Sequence, residues 1–339
     1  MPRKILVIHP QDFVGKTVTT VSVLHQHLGQ NVEVLAVDSH NEGPERYGIP
    51  VQRFLGSEFV AIMQHVVGLD SDLIVDVAAS EFRDFVEGLA AHPDALDDYT
   101  AVVMPLIPQD KVQRAAMTGG ELLISLGLRP DRLRALFNRV LVRPGTTLEQ
   151  CVECQFESFI KCAEKRGIPV YRDAALRDAR VHGDLATEKR SLAAVLADEN
   201  DYRALIGAAI ADQRPEKEIR HLIRMLSLKR GAQAVAAEVD AAFNALRIPA
   251  TTSVPLKSEA GRLEDARFQK HPECTEQALA ELTRSLQSLG QETRQIRMAL
   301  RAHLMRHKSQ ERDALGASIV RVRASQAGAL RKLLARFTR

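Results

Sequence analysis

Short apolar runs alternate along the chain with stretches whose apolar positions recur at three- and four-residue steps. Lys4-Ile5-Leu6-Val7-Ile8 opens the series. Val32 to Asp38, Leu73 to Val77, Ala101 to Leu106 and Leu133 to Val140 continue it, and Ile168-Pro169-Val170-Tyr171 reads as a short sixth run. Nearly continuous apolar strands separated by helical patterns are what a parallel sheet needs when helices cover both faces. The expected fold class is therefore α/β, with a doubly wound, mostly parallel sheet. In such sheets ligands collect at the carboxyl ends of the strands, which is where Gly15, Asp38, Asp76 and Asn138 fall.

The first run leads into His9-Pro10-Gln11-Asp12-Phe13-Val14-Gly15-Lys16-Thr17 and then into a helical pattern through Leu28. Strand, loop ending in Gly-Lys-Thr, and helix is the P-loop arrangement. Its backbone N–H groups wrap a phosphate, the helix N-terminus adds partial positive charge, the lysine reaches the β/γ-phosphates and the threonine hydroxyl holds Mg²⁺. The pattern departs from the full motif, which has a glycine where this chain carries Pro10 and small residues where it carries Asp12 and Phe13. A carboxylate there faces anionic phosphates, and a phenylalanine must adopt a backbone conformation that glycine tolerates better. A working nucleotide site and a loop kept as a structural turn both remain open on the motif alone.

Composition narrows the setting. A length of 339 residues suggests about two domains, and 45% hydrophobic residues with 26% charged ones describe an ordinary globular chain. No run approaches the roughly 18 apolar residues that span a bilayer, and the N-terminus lacks a signal-peptide layout. A cytoplasmic location is expected, with the four cysteines reduced. From Glu292 to Arg339 there are twelve Lys/Arg against three Asp/Glu, a tail of +9 that leaves −6 for the rest of a chain of net charge +3. A basic tail on a mildly acidic body points to a polyanion or an acidic protein surface.

The spaced set of signatures resembles that of ParA/MinD-type P-loop ATPases over roughly residues 1–210. It comprises the deviant loop, Val37-Asp38, Asp72 to Ser80, Val102 to Gln109, and Phe137-Asn138-Arg139-Val140. Within that superfamily the chain is most similar to the StbB branch, plasmid stability proteins encoded beside a small DNA-binding protein, StbA. It shares with them Gly-Lys-Thr without a glycine-rich cradle, Asp76-Val77-Ala78-Ala79-Ser80 and the Phe-Asn-Arg-Val run.

The resemblance implies ATP and Mg²⁺ as cofactors. It makes Lys16 the phosphate-contacting lysine, Thr17 a Mg²⁺ ligand, Asp76 the Walker B carboxylate, which would hold Mg²⁺ through water, and Asn138 a possible adenine contact. The cofactor-binding set is then Gly15, Lys16, Thr17, the next position, where a second threonine is expected and the chain has Val18, and Asn138. The catalytic set is Lys16, Asp38 and Asp76. Active members add a lysine near the loop start that reaches across a dimer, where this chain has Gln11, and an Asp-x-Asp pair of which Asp38-Ser39-His40 keeps only the first carboxylate. Phosphoryl transfer depends on such positive charge and positioning, so slow hydrolysis or a purely nucleotide-gated switch is expected. The implied partners are a second copy of the chain and plasmid DNA, bound directly or through a StbA-like protein.

Cys151, Cys154 and Cys162 could hold half of a tetrahedral zinc or share an iron–sulfur cluster across a dimer. No second ligand pair lies nearby in sequence, and the segment reads as an amphipathic helix, so ordinary thiols are the plainer reading. The ATPase-like part is expected over 1–212, followed by a charged, proline-containing linker at 213–218 and a helical basic region over 219–339. There, Glu216 to Leu246 is helical by pattern, and Leu279, Leu282, Leu286, Leu289, Ile296 and Leu300 could form about three heptads of coiled coil. The last stretch, Ala317 to Phe337, is basic and amphipathic. It reads as a phosphate-binding arm, as an interfacial membrane helix with Leu330, Leu333, Leu334 and Phe337 on its apolar face, or as a solvated face of a packed helix. The function expected is plasmid stability, partition or positioning, or conjugative transfer; the alternative is a non-hydrolysing scaffold that works through its tail.

Overall fold

The computed structural model describes residues 2–249 apart from 30, 40–42 and 93. The coiled-coil pattern and the basic stretch 317–337 lie outside the described residues. The strands are β1 (Lys4–Ile8), β2 (Glu33–Val37), β3 (Gln52–Phe54), β4 (Leu73–Val77), β5 (Ala101–Leu106), β6 (Leu133–Val140) and β7 (Ala175–Arg177). They form one sheet in the order β3-β2-β4-β1-β5-β6-β7 with every pairing parallel. The first-strand helix runs as α1 (Lys16–Val18), a π-helix (Thr19–His25) and α2 (Gln26–Leu28). The remaining helices are α3 (Phe59–Gly68), α4 (Phe82–Ala91), α5 (Asp110–Ser125), α6 (Leu148–Gln155), α7 (Glu157–Lys165), α8 (Val181–Thr187), α9 (Leu192–Leu196), α10 (Tyr202–Ala211) and α11 (Glu216–Ala245).

Strand alternation sorts the core into two layers. Along β1, Leu6 and Ile8 join one cluster, with residues of α3 to α7, whereas Ile5 and Val7 join the other, with the first-strand helix, α8, α9 and α11. Successive side chains of a strand point to opposite faces. A central strand covered on both sides must therefore be apolar throughout, and residues 5–8 are all fully buried. This is the buried, doubly wound sheet expected from the run pattern. Among the described residues no helix is long and apolar enough to cross a membrane.

Three details differ from the sequence expectation. Ile168 to Tyr171 is not a strand. Pro169 has no N–H to give to a ladder, and the seventh strand forms instead at Ala175–Arg177, after Phe137 has donated to the Ala174 carbonyl at 2.9 Å. Strand β3 carries no signal in the sequence: it is a three-residue edge strand with exposed Gln52 and Arg53. The cysteine-bearing segment is two helices, α6 and α7, broken at Phe156.

The helix expected from residue 216 is present as α11, and its buried Met225, Leu228, Ala232, Val239, Ala242 and Ala245 belong to the second core layer. Its C-terminus is held at the amino end of β6. Arg134 donates from Nε to the Leu246 carbonyl (2.8 Å), and the guanidinium groups of Arg134 and Arg247 both lie over the Tyr171 ring, 5.6 and 4.4 Å from its centroid. The chain therefore leaves α11 at the end of the sheet opposite the Gly-Lys-Thr loop.

Candidate functional site

The loop between β1 and α1 sits at the carboxyl end of the central strand. Gly15 has φ +97°, a left-handed conformation, and a Cβ there would lie 1.8 Å from Asn138 Nδ2. Both the angle and the contact exclude any residue but glycine. Asn138, at the end of β6 and buried, donates from Nδ2 to the Val14 carbonyl (3.1 Å) and accepts the Arg139 N–H on Oδ1 (2.9 Å). It thus fastens the loop to the neighbouring strand end. Phe13 also has positive φ, +61°, and is 85% exposed, so the glycine-like conformation expected at this position is occupied by an aromatic residue that gains no packing from it.

Lys16 is buried, and its Nζ donates to the Gln11 carbonyl across the loop at 2.8 Å, with Asp12 Oδ1 at 3.9 Å. Burial pulls its pKa down, while Asp76, Asp12 and Asp38 oppose the shift. Asp76, near the end of β4, is buried too, and burial pushes its pKa up to about 6; Lys16 and a hydrogen bond from Thr20 work against the rise, and Asp38 and Glu45 add to it. Lys16 and Asp76 thus face each other, with Asp38 within electrostatic reach of both at the neighbouring strand end. Thr17 is half-buried, and no hydrogen bond to its hydroxyl is formed among the described residues. Val18 supplies no hydroxyl where the resemblance leads one to expect a threonine; its side chain packs against the second core layer.

Three neighbours lie outside the motif. Thr20 Oγ1 donates to Asp76 Oδ2 at 3.0 Å, entirely buried. Thr19 Oγ1 donates to the Gly15 carbonyl at 3.0 Å. His9 is fully buried and accepts the Gln11 N–H on Nδ1 at 2.9 Å. Burial, and Lys16 after it, pushes the His9 pKa down to about 3, so the ring is neutral with its proton on Nε2. Thr20 has a signal of sorts, since with Thr19 and Ser22 it sets hydroxyls among valines. The π register of the segment in which it stands has none.

Chemically, the loop is built for an anion. Among the described residues no backbone partner is taken by the N–H groups of residues 12 to 18, whereas that of Thr19 is bonded to Gly15. Orphan donors at a helix start, with a lysine folded over them, are the elements of a phosphate nest. Thr17, Asp38 and Asp76 supply hard oxygen donors of the kind Mg²⁺ takes. These residues fit a magnesium-bound nucleotide. The cysteines do not converge: Cys151 shares a 3.0 Å contact with Thr146 Oγ1, Cys162 meets Arg166, Cys154 is exposed, and no group of three metal-ligating side chains exists among the described residues.

No protein-family model matches the chain, and no curated protein matches it. Among solved structures it is similar to the septum site-determining protein MinD complexed with Mg-ADP from Pyrococcus horikoshii OT3, at 14% identity over 57% of this chain and 88% of that one, with a TM-score of 0.38. It is similar to Cyanothece McdA in its apo form at 12% identity over 56% of this chain and 91% of that one, TM-score 0.38. A third is the MinC:MinD cell division protein complex of Aquifex aeolicus, at 12% identity over 76% of this chain and 100% of that one, TM-score 0.39. At these identities and scores the likenesses carry no further weight; the fold stands on the sheet order and the loop.

Proposed function

We propose that the chain is a nucleotide-gated P-loop protein of the ParA/MinD type that binds ATP with Mg²⁺ and acts in plasmid stability, partition or positioning. The observation that carries this reading is the nest at residues 12–17, left-handed at Gly15, pinned by Asn138 and closed by Lys16 on the Gln11 carbonyl. Lys16 and the loop N–H groups would hold the phosphates; Thr17 and Asp76, with Asp38 beside them, would hold the metal. Bound Mg²⁺ would neutralise the phosphate charge that these carboxylates otherwise oppose. With Gln11 in place of a second lysine, transfer to water is slow, and the nucleotide acts chiefly by favouring a homodimer. DNA is reached directly or through a small DNA-binding partner, in the cytoplasm, and the basic C-terminal region is the contact surface. The spaced sequence signatures support the family and the StbB-like role.

The test is equilibrium binding of a fluorescent ATP analogue with Mg²⁺ to the wild type and to Lys16→Ala. Micromolar binding lost in the variant supports the reading; absence of binding in both sinks it. A second reading, a scaffold whose loop is only a structural turn, draws on Asp12 and on Phe13, whose strain serves no packing. Salt-sensitive DNA binding by the full chain without any nucleotide response would favour it.

A further inference from the structure

The helix that follows the phosphate loop is not uniform. It starts as α1, widens to i→i+5 bonding over Thr19–His25 and closes as α2. Long π stretches are rare, and π segments within helices are frequent at functional sites. Every residue of this one except His25 is buried. Three polar tethers hold it, each to a different element. Thr20 Oγ1 donates to Asp76 Oδ2 on β4 at 3.0 Å, and Ser22 Oγ lies 3.3 Å from His182 Nδ1 on α8. At the far end His27 stands between the Val23 carbonyl (2.6 Å) and Asp240 Oδ1 of α11 (2.8 Å), with its ring stacked on Phe243 at 4.4 Å between centroids.

We propose that this helix is a two-register relay that couples the phosphate loop to the C-terminal half of α11. Re-forming i→i+4 bonds through residues 19–25 would turn everything after His25 by about a third of a turn relative to the loop. Thr20 could not then stay on Asp76 while His27 stays on Asp240. Close-packed interiors move between discrete arrangements and do not deform smoothly, so the two contacts stand or fall together. An anion seated on residues 12–17 bears on one end of the relay, and whatever engages α11 bears on the other; by linkage each alters the other's free energy equally. The proposal rests on the nucleotide reading for the identity of the loop's ligand only. The coupling is a property of the ligand-free chain.

Hydrogen exchange on the full-length protein, followed by mass spectrometry without nucleotide, tests it through a cycle of Thr20→Val, Asp240→Asn and the double variant. Thr20→Val keeps the side-chain shape, and the Asp240 side chain is 56% exposed, so both are expected to fold. Thr20→Val alone should speed exchange of amides 238–246 by about five-fold, although Thr20 makes no hydrogen bond to α11. Asp240→Asn alone should do the same to amides 19–25, the double variant should exceed neither single effect, and Thr20→Ser should restore wild-type rates. Effects confined to each variant's own element, and multiplying in the double variant, would overturn the relay. If Thr20→Val does not fold, Ser22→Ala takes its place in the cycle with the same two outcomes. Failure of the loop to bind ATP is read separately, by the fluorescent analogue, and leaves the result of the cycle unaffected.

Discussion

Two helices lie on the same face of the sheet and are built in opposite ways. Helix α11 runs thirty residues without a break and buries Met225, Leu228, Ala232, Val239, Ala242 and Ala245, a stripe of apolar groups with nothing that needs a partner. The first-strand helix is less than half as long, changes register twice and buries the hydroxyls of Thr19, Thr20 and Ser22 among its valines. An apolar stripe is held by shape, which many nearby arrangements satisfy. Buried hydroxyls must find acceptors at defined positions or cost about 1–3 kcal/mol each, so they select one arrangement against its neighbours. The contrast teaches where each helix should be sensitive: α11 to volume, the loop helix to the direction of its bonds.

The contrast can be broken at the loop first. Gly15→Ala meets a left-handed backbone and the Asn138 amide. Strain of about 1–2 kcal/mol and the disruption of a buried hydrogen bond, about 1–3 kcal/mol, sum to a loss of about 2–5 kcal/mol in urea unfolding, together with loss of nucleotide-analogue binding. An unchanged midpoint would mean that the loop is not the pinned element described.

Asp76→Asn should act in the other direction. Burial raises the Asp76 carboxyl to about 6 in the folded chain, above its ordinary value. The native state therefore holds this proton more tightly than the unfolded chain does. Its contribution to stability is complete below about pH 4 and is lost as the pH rises through about 6. Removing the ionisable group should raise stability by about 2–3 kcal/mol at pH 7.5 in the presence of a chelator, and the gain should vanish below pH 4. A gain that does not depend on pH would show that desolvation of the carboxylate is not its origin.

On α11, before the Asp240 and Phe243 contacts, Ala232→Leu inserts volume into a fully buried position and should cost about 1–3 kcal/mol with no change in analogue affinity. A change in affinity would erase the division of labour between the two helices. The smallest effect belongs to Phe13→Gly, which relieves a left-handed aromatic residue that contributes little packing. Its gain, offset by the glycine's extra chain entropy, is up to about 1 kcal/mol, and a loss of stability instead would mean that the exposed ring has a contact within the fold.

Much of the scaffold is legible in the sequence, because what makes a buried parallel strand is local. Lys4 to Ile8, Leu73 to Val77, Ala101 to Leu106 and Leu133 to Val140 are mostly apolar, and the bounds of these runs are the bounds of the strands. The place of the Gly-Lys-Thr loop is legible for the same reason, since a strand run followed at once by a helical pattern puts the turn between them at the strand's carboxyl end. Strands β3 and β7 are not, because an edge strand needs only one partner and little apolar surface. Polar Gln52-Arg53 could pair where Pro169 could not.

By itself, then, the sequence determined the central strands, the position of the loop at their carboxyl end and the long helix from residue 216, each a pattern repeated over a few consecutive residues. Only the tertiary structure decided that Asn138 pins the loop, that Thr20 reaches Asp76, and that His27 meets Asp240 and Phe243. Those contacts join residues from 56 to 216 positions apart. Side-chain periodicity reports which face of an element is buried, but not what stands opposite it, and a change of helical register within a buried segment leaves no trace in the order of apolar and polar residues.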